Sequence, residues 1–553
     1  MIGKCIVAAK KEFTHFVYNI TAATQKYFVQ VRSSIFAYDN ISSEDIREFF
    51  IVVAVVLALN LFYLANFSIS IDDEIHAIMP SSVGWLSIGR WTTAIIEHFL
   101  FPRPVVPYSP YLFFSICLAL SYSFLIRSHN LNNSNYKYLA LPVFIVHPIW
   151  QFLTGFDATL PAIGVGLVLV TFSCLLFERT RHMLVKKVYV PLFASVGLQS
   201  ILLAAAIASY QSFLLMYLAV VFGILLIKVI DGEKETHSTL VQGFVQIAIV
   251  SVLGFLVYQY VGLFARWITN TSPSYYIERF YIRLDLSSVS SIIQFLSSYL
   301  NNMYLYYSGD ASRFGVNFSA FAAVTVLSAL FTFQRLWREG RFARFWGISF
   351  WFMVVASPFL FSLFLVTPSR TLFPIAYVAW LMAILLLKAR RKFILWLNFF
   401  IILFFVVQGL NINGLYSARS IIAQRYDSLL AADIYKSLGS VDPDFDRGQP
   451  IFIDVYGTIN FGAAYPSPWS GTIGVSFFDW DGGNLGRIVL YMELMGYLNV
   501  KRLPDEQRIA LTPEFEKMPA WPAAGFVKKI GNVYLVKLSD SPDSLHKLFY
   551  SLK

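Results

Sequence analysis

The sequence predicts a polytopic α-helical membrane protein of about eleven transmembrane helices, followed by a small C-terminal α/β domain. Three observations predict it. Of 553 residues, 57% are hydrophobic and only 14% charged, against about a quarter charged in soluble domains. With a mean hydropathy of +0.60, lipid must solvate much of the surface. Apolar runs of roughly the 17–25 residues that span a bilayer recur along the chain, separated by loops alternately rich and poor in Lys and Arg. After Asn411 the pattern changes to short β-like runs, Gly and Pro clusters and mixed charge.

Residues 1–48 interleave Lys10, Lys11, Lys26, Arg32 and Arg47 with Phe13, Phe16, Phe28 and Phe36. This segment reads either as an amphipathic helix on the membrane surface or as a plain basic cytoplasmic tail. It carries no short secretory cleavage pattern. Ser42 with Asp45 resembles a capping box opening the first span. Spans are expected at Phe49–Phe67, Tyr111–Ile126, Leu139–Phe156, Leu160–Phe177, Val190–Ser209, Ser212–Ile230, Leu240–Ile268, Val316–Phe333, Trp346–Val366, Leu372–Leu387 and Phe393–Leu410. The pair around Pro148 and Pro161 reads alternatively as two half-inserted helices.

One alternating set of loops holds Arg127 and Lys137, then Arg179, Arg181, Lys186 and Lys187, then Lys228 and Lys234. It continues with Arg335, Arg338, Arg341 and Arg344, and with Lys388, Arg390, Arg391 and Lys392. That set, with the N-terminus, is expected to be cytoplasmic. The opposite face receives the loops 68–110 and 269–315 and the tail. The chain thus divides into 1–48, a transmembrane domain 49–411 and a C-terminal domain 412–553. Within the tail, 415–438 reads as a helix, Pro450–Tyr456 and Asn532–Lys537 as buried strands, and Arg487–Tyr497 as a helix between them.

The net charge of +10 matches Lys and Arg held at one membrane face, and no soluble basic patch stands out, so nucleic acid is not an expected partner. Cys5, Cys117 and Cys174 form no disulfide framework and no CxxC metal motif.

The chemistry-bearing signal is Asp72-Asp73-Glu74, directly after the first span. Carboxylates so close to lipid are costly unless they face a cavity, a cation or water. They read as a solvated helix stop, or as a general base, a metal site or a proton site. The loop that follows brings His76, Trp85, Arg90, Trp91, Glu97 and His98. A base, a cation and aromatic rings suit a sugar-phosphate site, although Trp85 and Trp91 equally suit interfacial anchoring.

Arg370, in the short turn Thr367-Pro368-Ser369-Arg370-Thr371, breaks the loop-charge rule. A guanidinium fork matches phosphate oxygens; the alternative is an Arg snorkelling to headgroups. Arg279 and Arg283, beside Tyr275, Tyr276, Glu278 and Tyr281, are of the same type. In the tail, Trp469, Trp480, Asp479 and Asp481 set rings beside acids in Gly-rich loops. Rings cover the C–H face of a sugar and acids take its hydroxyls. The other reading makes these aromatics the tail's own core or its dock onto the membrane domain.

Together these features resemble the GT-C class of membrane glycosyltransferases. Within it the chain is most similar to the Gtr-type (GtrII-like) O-antigen glucosyltransferases, the serotype-converting family. Asp72-Asp73-Glu74 with Gly89-Arg90-Trp91, Pro368-Ser369-Arg370 and Tyr426-Asp427 carry the resemblance. It covers most of the spanning region and not the tail from about residue 440.

The resemblance implies a GT-C-like fold in the bacterial inner membrane and a sugar donor linked to undecaprenyl phosphate, used on the periplasmic face. The acceptor is O-antigen or another surface glycan. No cofactor is certain, and a divalent metal stays open. An Asp-Glu pair after the first span is the class's usual catalytic signature, so Asp73 is the expected general base, with Asp72 the runner-up and Glu74 beside them. Arg370, Arg90, Arg279 and Arg283 are expected around the donor phosphate, and the tail is expected to select the acceptor. Two other readings remain: a transporter or flippase of a lipid-linked glycan, and a non-catalytic assembly protein. A transporter requires ionisable groups deep inside several spans, whereas here the acids sit at one mouth and Asp157 is expected in a loop.

Overall fold

The computed structural model describes residues 43–66, 69–78, 82–101, 108–132, 134–185, 189–232, 236–274, 288–389, 392–459, 461, 465, 467–468 and 473–551. The N-terminal amphipathic segment up to residue 42, Arg279, Arg283 and Trp469 lie outside the described residues.

Among the described residues, nine helices are long and apolar enough to cross a membrane. They are Ser109–Ser128, Leu160–Arg181, Leu192–Ser209, Phe213–Asp231, His237–Thr269, Ser319–Arg338, Arg341–Leu363, Ser369–Leu387 and Lys392–Val441. This is a multi-pass arrangement, with two of the eleven expected spans broken. The first divides at Asn60 into Ser43–Leu59 and Leu61–Ala65. The third stops after Tyr136–Val146, because His147 takes an extended ψ of 124° ahead of Pro148. A residue before proline is pushed out of the helical region. A 3-10 turn, Pro148–Trp150, and the short helix Gln151–Thr154 follow. The half-inserted reading therefore applies to the segment around Pro148, while Pro161 lies inside the unbroken helix Leu160–Val185.

Phe213–Asp231 and Ser369–Leu387 form the centre of the bundle, with Tyr217, Tyr377 and Trp380 fully buried. His237–Thr269 turns many apolar side chains outward, as lipid-facing surface requires. A buried ion pair lies inside the bundle. Lys228 Nζ lies 2.6 Å from Glu178 Oε1, at the ends of their helices remote from residue 157.

The helix Lys392–Val441 runs for 50 residues, about 75 Å at 1.5 Å per residue. It crosses the boundary expected at 411/412 without a break. Its far end, at Leu430, Ile434 and Leu438, enters the core of the tail domain. That domain is a four-stranded sheet in the order β2-β1-β4-β3: β1 Ile451–Tyr456, β2 Val500–Arg502, β3 Val527–Ile530 and β4 Val533–Lys537. β1 pairs in parallel with β2 and with β4, while β3 is antiparallel to β4 at the edge. Burial of Ile453, Val455, Ile488, Met492 and Val536, worth about 1.5–3 kcal/mol per side chain, holds the helix Leu485–Leu494 against the sheet.

Candidate active site

The acid motif opens the short helix Asp73–Ile78, where carboxylates meet the positive end of the helix dipole. Asp72 turns the chain into it with a left-handed φ of 76°. The three carboxylates take different places. Asp73 is buried and pinned by backbone donors: Ser70 N at 2.9 Å on Oδ2 and Ala158 N at 3.2 Å on Oδ1. Burial first, then the neighbouring Asp157, push its carboxyl well above the ordinary range. Asp157 lies in the turn before Leu160, as expected, and burial lifts it to about 7 against the opposing Tyr111 hydroxyl.

Glu74 is fully buried, and its Oε1 accepts from Arg487 Nη1 at 2.6 Å. Burial raises it to about 7, with Arg487 opposing. Asp72 is the more open group, and its Oδ1 accepts from Arg487 Nη2 at 3.0 Å. The third arm of Arg487, Nε, donates to Asp481 Oδ2 at 2.7 Å. Burial works against the charge of Arg487, and the three carboxylates outweigh it, so the guanidinium is held above its usual value.

Two cations sit opposite. Arg90 stacks 4.6 Å from the Tyr210 ring centre and 5.7 Å from that of Trp85, and its Nε donates to Gln211 Oε1 at 3.4 Å. The Trp85 indole is fixed by Glu97 and by a parallel stack on His76 at 4.6 Å. Gly89 turns the loop at φ +78°, where a Cβ would come 2.5 Å from the Tyr258 hydroxyl. Arg370 lies over Phe156 at 5.3 Å. Burial lowers the Arg90 guanidinium, Tyr210 opposes this and Arg370 adds to it.

Asp72, Arg90, Arg370, Trp480, Asp481 and Arg487 line one cavity of about 640 Å³. Of the residues singled out in the sequence, Asp72, His76, Trp85, Arg90, Arg370, Trp480 and Asp481 therefore meet. Asp73 and Glu74 stand behind the wall, and Asp479 is on the same loop as Trp480 but not in the cavity lining. Among the described residues, no group of three or more His, Cys, Asp or Glu is arranged to hold a metal ion. Sequence reasoning missed Arg487, a lone Arg on a mostly apolar helix, and missed Asp157 as the neighbour of Asp73.

The tail loop is fixed from the long helix. Asp427 accepts from Phe477 N at 2.9 Å and from the Ser476 hydroxyl, and Arg419 Nε donates to the Ile473 carbonyl at 3.2 Å.

The family model for glucosyl transferase GtrII matches residues 61–387, more than half of the chain. The chain belongs to this glucosyltransferase family. No curated protein and no solved structure matches it. The matched range of the glucosyltransferase holds the acid motif, Arg90 and Arg370. It stops before Trp480, Asp481 and Arg487, which come to the same cavity from the tail.

Proposed function

We propose that this glucosyltransferase takes glucose from undecaprenyl-phosphate glucose and passes it to a hydroxyl of O-antigen or another surface glycan, on the periplasmic face of the bacterial inner membrane. The observation that carries the reading is the cavity itself. An open carboxylate, Asp72, faces two guanidinium groups, Arg90 and Arg370, with the rings of Trp85 and Trp480 on its wall. The loop-charge pattern of the sequence supports the periplasmic side.

In this reading the donor phosphate lies between Arg90 and Arg370. Asp72 takes the proton of the acceptor hydroxyl as its oxygen attacks the anomeric carbon. The bond from that carbon to the phosphate oxygen breaks, and the lipid phosphate leaves with its charge held by the two guanidinium groups. Asp72 is assigned the base role ahead of Asp73 because Asp73 has each oxygen on a backbone N–H and does not line the cavity. Trp480 and Asp481 face the acceptor.

The test is glucose transfer by the purified protein in lipid nanodiscs, from radiolabelled undecaprenyl-phosphate glucose to a lipid-linked glycan. Transfer is expected. Its absence, together with movement of the lipid-linked glycan across a vesicle bilayer, would favour the flippase reading.

A further inference from the structure

Arg487 comes from the tail, beyond the matched family range, and reaches residues more than 400 positions earlier in the chain. Its fork takes Asp72 Oδ1 and Glu74 Oε1 side by side. Among the described residues nothing hydrogen-bonds Asp72 Oδ2, which is left to the cavity. Glu74 is fully buried and its Oε2 has no partner among the described residues, so Arg487 is the cation that answers its charge. Asp72 and Asp481, the two more exposed carboxylates on Arg487, both hold left-handed backbone, at φ 76° and 52°. That conformation persists in a non-Gly residue when its surroundings fix it.

We propose that Arg487 is a positioning residue for transfer: it holds one oxygen of Asp72 so that the other meets the acceptor hydroxyl, and it thereby makes docking of the tail a condition of catalysis. This rests on the reading of Asp72 as the base. Three carboxylates share the one guanidinium, so the clamp fixes the Asp72 oxygen while its other oxygen faces the cavity. A role in holding donor phosphate is disfavoured, because each of its three nitrogens already serves a carboxylate.

The test uses the full chain in nanodiscs with Arg487→Ala, Arg487→Lys, Glu74→Gln and Asp72→Asn. Arg487→Ala is expected to lower kcat about 100-fold, the order of loss that follows from a misplaced catalytic group. Binding of radiolabelled undecaprenyl phosphate should stay within about twofold. Arg487→Lys, a point charge without the fork, should fall between the two.

The groups facing Glu74 are Arg487, Asp72 and Asp73. As pH rises through about 7, Glu74 ionises and grips Arg487, so the wild-type rate should rise there. That inflection should vanish in Arg487→Ala and in Glu74→Gln, an effect that a purely architectural Arg would not produce. Wild-type kcat in Arg487→Ala, or lost lipid-phosphate binding with kcat retained, would overturn the proposal. Where the Ala variant undocks the tail, a wild-type kcat in Arg487→Lys does the same. Full activity in Asp72→Asn would instead defeat the assignment of the base on which the proposal depends.

Discussion

At the scale of single residues, neighbouring carboxylates differ by where their oxygens go. Asp72→Asn is expected to lower transfer by about 10²–10⁴-fold, the usual contribution of a general base, with lipid-phosphate binding retained. Asp73→Asn should cost transfer far less than Asp72→Asn, because Asp73 does not line the cavity; its amide NH2 gives up one of the two backbone hydrogen bonds, a loss expected in stability. The reverse pattern in the same assay would hand the role to Asp73. Glu74 gives a separate prediction for stability. Its ordinary value of 4.5 rises to about 7 in the folded protein. Between these values the native state binds more protons than the unfolded chain, so the contribution of Glu74 to stability falls as pH rises. Thermal unfolding of wild type and Glu74→Gln at about pH 5 and about pH 8 reads this out. The difference should move in favour of the Gln variant at the higher pH. The acids and Arg370 stood out in the sequence because charge is rare in so apolar a chain. Arg487 did not, since nothing local marks that the one Arg of a mostly apolar helix reaches across to another domain.

At the scale of elements, strong runs were legible and weak ones were not. PIFIDVY and NVYLVK became β1 and β4. β2 has three residues and β3 reads VKKI, so neither carries a hydrophobic alternation that separates it from a loop. The break at Pro148 was visible as a proline but not as a stop, because proline also sits inside Tyr136–Val146 at Pro142. At Pro148 the extended His147 also caps the turn that follows, its Nδ1 accepting from Ile149 N at 3.2 Å. The loop bearing Trp480 depends on a glycine of the same kind. Gly474 has φ +63°, and a Cβ there would approach the Arg419 Cγ to 2.4 Å. Gly474→Ala is expected to cost about 1–3 kcal/mol, seen as a lowered unfolding temperature. Faster amide exchange at Phe477 and Phe478 should accompany it. Unchanged exchange at those amides would mean that the loop is not fixed through Arg419 and Asp427.

At the scale of the whole molecule, the expected division at 411/412 describes composition, not mechanics. The sequence marks where lipid-like composition ends, and the helix continues because residues 415–438 are themselves good helix formers. Membrane part and tail are therefore joined by one rod, and the cavity takes residues from both. A rod does not absorb rotation as a flexible linker would. If a change in bilayer thickness tilts its membrane-embedded half, a tilt of about 10° displaces a point about 30 Å further along by about 5 Å. That is more than the 2.6–3.0 Å contacts of Arg487 tolerate. The glucosyltransferase should therefore sense the thickness of the lipid around it. In nanodiscs of increasing acyl-chain length, wild-type transfer is expected to pass through an optimum, and Arg487→Ala, already released from the clamp, should give a flat and low profile.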